Sequence, residues 1–269
     1  MIITKHLLYF MIFSLCGWIY ETAVMTIIEK KWDNRGFLIG PAIPIYGVGA
    51  TLIGIIKEIA DYNNINYDII QVFFIAFIGS AILEYSVHYS LEKIFHAYWW
   101  DYSTAPLNIN GRICLPASIG FGLAGIFVVY YAFPFVVEIT NRINPIVIEL
   151  IVTLSVIVMT ADTTMTIVLL SNFEEKIKQS EEIMNLNIGR RVNSAFETVE
   201  DLTTNTYISK VVSLMKIPQK LVLKKIKGFK GYKLGVSTKL NNALSIIKNK
   251  NLGDKENDKE ENDIKKSTN

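Results

Sequence analysis

The chain has 269 residues, a formal net charge of +2, two cysteines and 51% hydrophobic residues. The charge is unevenly spread: residues 1–170 hold 8 Lys/Arg and 12 Asp/Glu, and residues 171–269 hold 19 and 13. A segment near −4 precedes one near +6, which excludes an ordinary soluble domain and a disulfide-built secreted one. A basic tail after apolar segments fits an anionic membrane leaflet better than nucleic acid.

Five stretches have the length and apolarity to cross a bilayer, which takes about 20 residues. They are residues 6–28, 37–56, 69–91, 113–137 and 146–170, and together they predict an all-α membrane protein with about five transmembrane helices. The N-terminal run resembles a signal peptide at first, but it continues to Ile28 without a small-residue cleavage site. Cys16 and Cys114 fall at different depths, so a bridge between them is geometrically disfavoured and both read as buried thiols. Lys30, Lys31, Arg35, Lys93, Arg112, Lys176 and Lys178 fall on one side, and Lys5, Lys57 and Arg142 on the other. The positive-inside rule then places the N-terminus outside and the tail in the cytoplasm.

Two carboxylates lie within the apolar helices at matched positions. Glu21 is seven residues before Ile28, and Glu84 seven before Leu91, so each sits about 10 Å inside the same edge. Asp162, eight before Leu170, comes to nearly the same depth. A charge facing lipid is costly, so these groups must meet protein, water, a partner or a proton. Arg35 and Arg112, ahead of the second and fourth helices, can reach back toward them. The expectation is a polar cavity open to the cytoplasmic side, lined by Glu21, Arg35, Glu84 and Arg112, with Asp162 and Asp101 as further candidates. Ion pairs that lock helices together would leave the same pattern.

The order Glu21, Trp32-Asp33, Arg35, Pro41 is echoed by Glu84, Trp100-Asp101, Arg112, Pro116. It suggests a parallel repeat of two helix pairs. Glycines and prolines cluster at the entries of the second and fourth helices: Gly36, Gly40, Pro41, Pro44, Gly47 and Gly49, then Gly111, Pro116, Gly120, Gly122 and Gly125. Irregular backbone of this kind is tolerated at membrane depth where it is buried or lines water. Close helix packing through small residues is the other reading. Trp32, Trp99, Trp100, Tyr98 and Tyr102 read as headgroup-level anchors. Glu84 and His88, at i and i+4, are weak candidates for a metal because no second cluster joins them.

Residues 171–201 mix signs and extend the fifth helix as a solvated stalk. Between Lys210 and Lys250 there are eleven lysines and no acidic residue. Interleaved with Val, Leu, Ile and Phe, they predict a partly helical tail lying on anionic headgroups. Residues 251–269 are polar and charged enough to stay disordered. No Walker A run, nucleophile elbow or dinucleotide fingerprint occurs, so no cofactor is expected and ATP hydrolysis would need a separate ATP-binding subunit.

The blocks GWIYE, NRGFLIGPAIPIYGVG and WDYS followed by PLNINGRICL resemble the bacterial family described as putative ABC-transporter type IV, over roughly residues 8–165. The matching positions are Trp18, Glu21, Arg35, Gly36, Pro41, Tyr46, Glu84, Trp100, Asp101, Tyr102, Asn110, Gly111 and Arg112. The resemblance implies a permease-like, multi-pass protein of the bacterial cytoplasmic membrane with an ATP-binding partner, for which the loop 92–110 offers the most room. A membrane-embedded enzyme, a lipid-headgroup-binding protein and a structural subunit of a membrane complex remain as alternatives, and a homo-oligomer is left open.

Overall fold

The computed structural model describes residues 2–30, 32, 34–190, 217–230, 241, 244 and 245. Asp33, the disorder expected for 251–269, and most of the lysine-rich stretch 210–250 lie outside the described residues. The chain divides into two compact units, Met1–Leu91 with Trp99–Thr166, and Glu92–Tyr98 with Ile167–Asn269.

The first unit is built on α-helices. Helix α1 spans Ile2–Glu29, α2 Pro44–Tyr62 and α3 Ile69–Phe95. Helix α4 spans Leu115–Phe127 and leads through a π turn, Val128–Ala132, into α5, Phe133–Arg142. Helix α6 begins at Pro145 and runs to Arg190. Among the described residues, four stretches are long and apolar enough to cross a membrane: Ile2–Glu29, Ile69–Phe95, Leu115–Arg142 and Pro145–Ser171. Large apolar side chains stay exposed along them, among them Ile70, Phe74, Ile78 and Ile82 on α3 and Leu150, Leu154 and Ile157 on α6. Water tolerates no such continuous apolar face, whereas lipid requires one.

Local chemistry sets the helix ends. Asp68 and Gln71 form a reciprocal capping box at the start of α3: Gln71 N–H donates to Asp68 Oδ1 at 2.7 Å and Asp68 N–H to Gln71 Oε1 at 3.0 Å. Asn144 Oδ1 accepts the Ile146 N–H at 2.9 Å, and Pro145 follows where a missing N–H costs nothing. The π turn ends at Ala132, two residues before Pro134, which has no N–H to donate to the preceding turn.

The second helix differs from the expected span of 37–56. It begins at Pro44, because Pro41 and Pro44 stop any helix from propagating through 35–43. Those nine residues instead run back along α1. Ile43 N–H donates to the carbonyl of Ser14 at 3.0 Å, and an added Cβ at Gly47 would strike Ser14 and Phe10. Ser14 lies about 22 Å from the Glu29 end of α1 at 1.5 Å per residue, so α2 starts near the middle of that helix. Its far end carries charge: Glu58 pairs with His6 at 3.0 Å and Lys57 with Asp61.

The loop between α3 and α4 folds back in a similar way. Residues 113–114, expected to open a helix, instead form strand β3 (Ile113–Cys114), paired antiparallel with β2 (Asn108–Ile109). Trp99 and Cys114 are buried. The ring centroids of Phe37 and Trp99, one from each fold-back segment, lie 5.2 Å apart. Glycine closes both helix pairs: Gly17 abuts Tyr46 on α2, and Gly122 and Gly125 abut Phe73 and Ala76 on α3. The core beneath is apolar, with Tyr9, Phe13 and Phe133 in one cluster and Ile53, Val72 and Val129 in another.

In the second unit, strand β1 (Ala97–Tyr98) pairs antiparallel with β4 (Gly228–Phe229). Helix α7 (Ile217–Lys225) precedes β4, and Val222, Leu223, Ile226, Phe229 and Leu244 are buried. Gly228 leaves room for the Tyr98 ring.

Candidate functional site

Two fold-back segments bring polar side chains to the middle of an otherwise apolar unit. From α1, Glu21 Oε1 lies 3.8 Å from Arg35 Nε, and Trp18 Nε1–H donates to Asn34 Oδ1 at 2.8 Å. Arg35 is followed by Gly36, whose φ of +97° turns the chain into the descending segment. From α3, Glu84 is only 6% exposed and accepts a hydrogen bond at Oε1 from the Tyr102 hydroxyl at 3.3 Å. Its Oε2 has no hydrogen-bond partner among the described residues. Tyr46, in the first turn of α2, lies within electrostatic reach of Glu21, Tyr102 and Glu84. Burial holds the Tyr102 hydroxyl well above the ordinary phenol range, and Glu84, Cys114 and Glu21 push it further. It therefore stays protonated, as its donor role requires. Glu21, Arg35, Tyr46, Glu84 and Tyr102 form one group, and three of the five, Glu21, Arg35 and Glu84, are among the residues expected to line the cavity.

The remaining candidates stand elsewhere. Asp162 on α6 accepts the Ile39 N–H at 3.0 Å and the Gly40 N–H at 2.8 Å, with Thr166 Oγ1 at 3.4 Å. It fastens the descending segment, where no helix partner exists for those two donors. Arg112 donates from Nη1 to the Tyr85 hydroxyl at 2.9 Å and lies over the Tyr85 and Tyr89 rings at 5.1 and 5.2 Å. Asp101 is exposed and accepts the Ser103 N–H at 2.9 Å, forming a turn. His88 meets the Trp100 carbonyl through Nε2 at 3.1 Å, and no group of three or more His, Cys, Asp or Glu converges among the described residues.

Several anchor assignments change. Trp99 is buried, Trp100 donates from Nε1 to the Arg112 carbonyl at 3.0 Å, and Tyr102 is half-buried with its hydroxyl on Glu84. Trp32 alone among the tryptophans is 65% exposed. Cys16, expected to be buried, is exposed, while Cys114 is buried; both are free thiols. Tyr85 carried no signal in the sequence, since a tyrosine in an apolar helix is usually packing.

Apolar outward faces, four helices of spanning length and a buried polar centre define a multi-pass helical membrane protein. A family model described as Putative ABC-transporter type IV matches residues 8–167, and the chain belongs to that family. No curated protein and no solved structure matches the chain. The family name is that of an ABC-transporter-type membrane component. The matched residues run from α1 into the membrane-length part of α6, and the tail lies beyond them.

Proposed function

We propose that this protein is a permease-like membrane transport component whose polar site opens to the cytoplasmic side. One observation carries the reading: non-helical backbone at 35–43 starts at the Arg35–Glu21 pair, folds back along α1 to Ser14 and is supported by Asp162 on α6. In a membrane such backbone is costly unless it lines a cavity or is held by protein, and broken helices of this kind build transporter binding sites. Glu21 and Glu84 supply negative charge, Tyr46 and Tyr102 supply hydroxyls, and Arg35 is the counter-charge that a solute would displace. Arg112 braces α3 against the second fold-back segment.

In this reading the N-terminus lies outside, and the lysine-rich tail faces anionic headgroups in the cytoplasm. The chain carries no ATPase motif, so an ATP-binding subunit would dock on the exposed tip of the second loop, around Ser103, Leu107 and Ile109. Gentle extraction followed by native mass spectrometry tests the partnership, with co-purification of an ATP-binding subunit as the expected result. Proteoliposomes incubated in a cell extract, with and without ATP and that subunit, test transport. Solutes retained by the wild type should be absent with Glu21→Gln, although that variant inserts and accumulates normally. A co-purified lipid, no partner and no retained solute would favour a headgroup-binding protein instead.

A further inference from the structure

Within the polar group described above, Glu84 is a carboxylate with no cation among its described partners. Glu21 has Arg35 at 3.8 Å, and Arg112 is engaged by Tyr85 and two aromatic rings. Glu84 faces Tyr102 and Glu21, neither of which brings positive charge. At 6% exposure, with Oε2 carrying no hydrogen bond among the described residues, this carboxylate has given up water at one oxygen without replacing it. An unmet buried acceptor is costly, and a membrane interior makes it more so.

We infer that Glu84 Oε2 is the ligand atom of a site for a monovalent, ammonium-type cation carrying N–H donors. This deepens, and rests on, the transport reading by naming its substrate class. Three features select that class. Glu84 offers one carboxylate with one oxygen unmet among the described residues, which one monovalent cation satisfies. A divalent metal would want at least three His, Cys, Asp or Glu ligands, and no such group converges among the described residues. The site is also aromatic: Tyr102 meets Glu84 through its hydroxyl, Tyr46 is within electrostatic reach of Glu21 and Glu84, and ring faces attract organic ammonium. Tyr102, donating to Oε1, holds the carboxylate so that Oε2 is the oxygen left to accept. Glu21 provides the second acceptor when Arg35 moves aside.

The test uses the full-length protein in lipid nanodiscs, with thermal unfolding followed in methylammonium chloride, sodium chloride and tetramethylammonium chloride at equal chloride. Binding to the folded state raises the apparent Tm in a saturable way. The expected result is a saturable rise of at least about 2 °C with methylammonium, a smaller one with tetramethylammonium and none with sodium. Glu84→Gln should abolish the rise, and Tyr102→Phe, which keeps the carboxylate, should move its midpoint several-fold higher. If Glu84→Gln fails to fold, Tyr102→Phe decides. The proposal is overturned by no saturable rise with any cation, as for a carboxylate that holds only a proton. It is equally overturned by the same rise in Glu84→Gln, by an equal rise with sodium, or by an unchanged midpoint in Tyr102→Phe. Methylammonium binding without transport in proteoliposomes would defeat the permease reading and leave the site standing. Transport without any methylammonium effect would defeat the site alone.

Discussion

Glu84 is the residue whose environment departs furthest from what folding alone would select. Its carboxylate is buried, one oxygen meets Tyr102 and the other meets no described partner. Replacement by glutamine keeps the volume and removes the charge, so the account predicts opposite effects on stability and function. Glu84→Gln should unfold at the same or higher temperature than wild type, while transport falls at least about tenfold, each ten-fold being 1.4 kcal/mol. Parallel thermal unfolding and proteoliposome assays check this, and a destabilised Glu84→Gln would mean that the charge is structural. That Glu21 and Glu84 each sit within an apolar helix was legible in the sequence, although α3 runs on to Phe95, past the expected end at Leu91. Their neighbours were less legible. Tyr102 read as a headgroup anchor because sequence cannot show that its loop turns back against α3. Arg112, expected to line the cavity, meets the Tyr85 hydroxyl and the rings of Tyr85 and Tyr89, contacts that reach alone could not foretell.

At the scale of elements, the segment 35–43 decides what the first unit can do. The hydropathy of 37–56 describes a membrane stretch well enough, but hydropathy cannot distinguish helix from apolar irregular chain. Pro41 and Pro44 carried the correction, and where the segment would dock was not readable without the position of α6. Asp162 supplies that dock through two backbone N–H groups. Hydrogen bonds to a charged acceptor contribute about 1.5–3 kcal/mol each, so Asp162→Ala should cost about 2–4 kcal/mol after partial replacement by water. Asp162→Asn, which keeps one acceptor, should cost less; equal stability of the two would contradict the assigned role. The helix pairs give a second check. An added Cβ at Gly17 or Gly47 meets a packed neighbour, whereas at Gly79 or Gly120 nothing lies within 4 Å. Gly17→Leu should therefore destabilise by about 1–3 kcal/mol through overpacking. Gly120→Ala should be neutral or slightly stabilising through helix propensity. Chemical unfolding in detergent measures both.

For the whole molecule, the change of charge at the end of the apolar region was plain from the sequence, because lysines crowd into residues 171–269. The pairing of β1 with β4 was not, since two-residue strands leave no periodic trace in sequence. Tyr98 and Gly228 fit together there, and Gly228→Val should release the tail from the loop that follows α3. Limited proteolysis should then cut near residue 230 faster than in wild type. The tail's charge makes a separate prediction. A peptide of residues 210–250 should bind vesicles rich in anionic lipid and lose most of that affinity at high salt, because exposed lysines are screened within about 10 Å at 0.1 M. Binding that ignores salt would assign the tail to a protein partner.

Water access to the descending segment is the most direct measure of the central claim, that 35–43 lines a polar cavity open on the tail side. With Cys16 and Cys114 replaced by serine, single cysteines at Phe37, Ile39 and Ala42 would be challenged with a membrane-impermeant maleimide in right-side-out and inside-out vesicles. Ile19 and Leu52, exposed on apolar helix faces, serve as lipid-facing controls. The account predicts labelling of the three loop positions in inside-out vesicles only, and none of the controls. Loop positions that resist the reagent from both sides would mean a dry segment that merely packs helices, and the transport site would have to lie elsewhere.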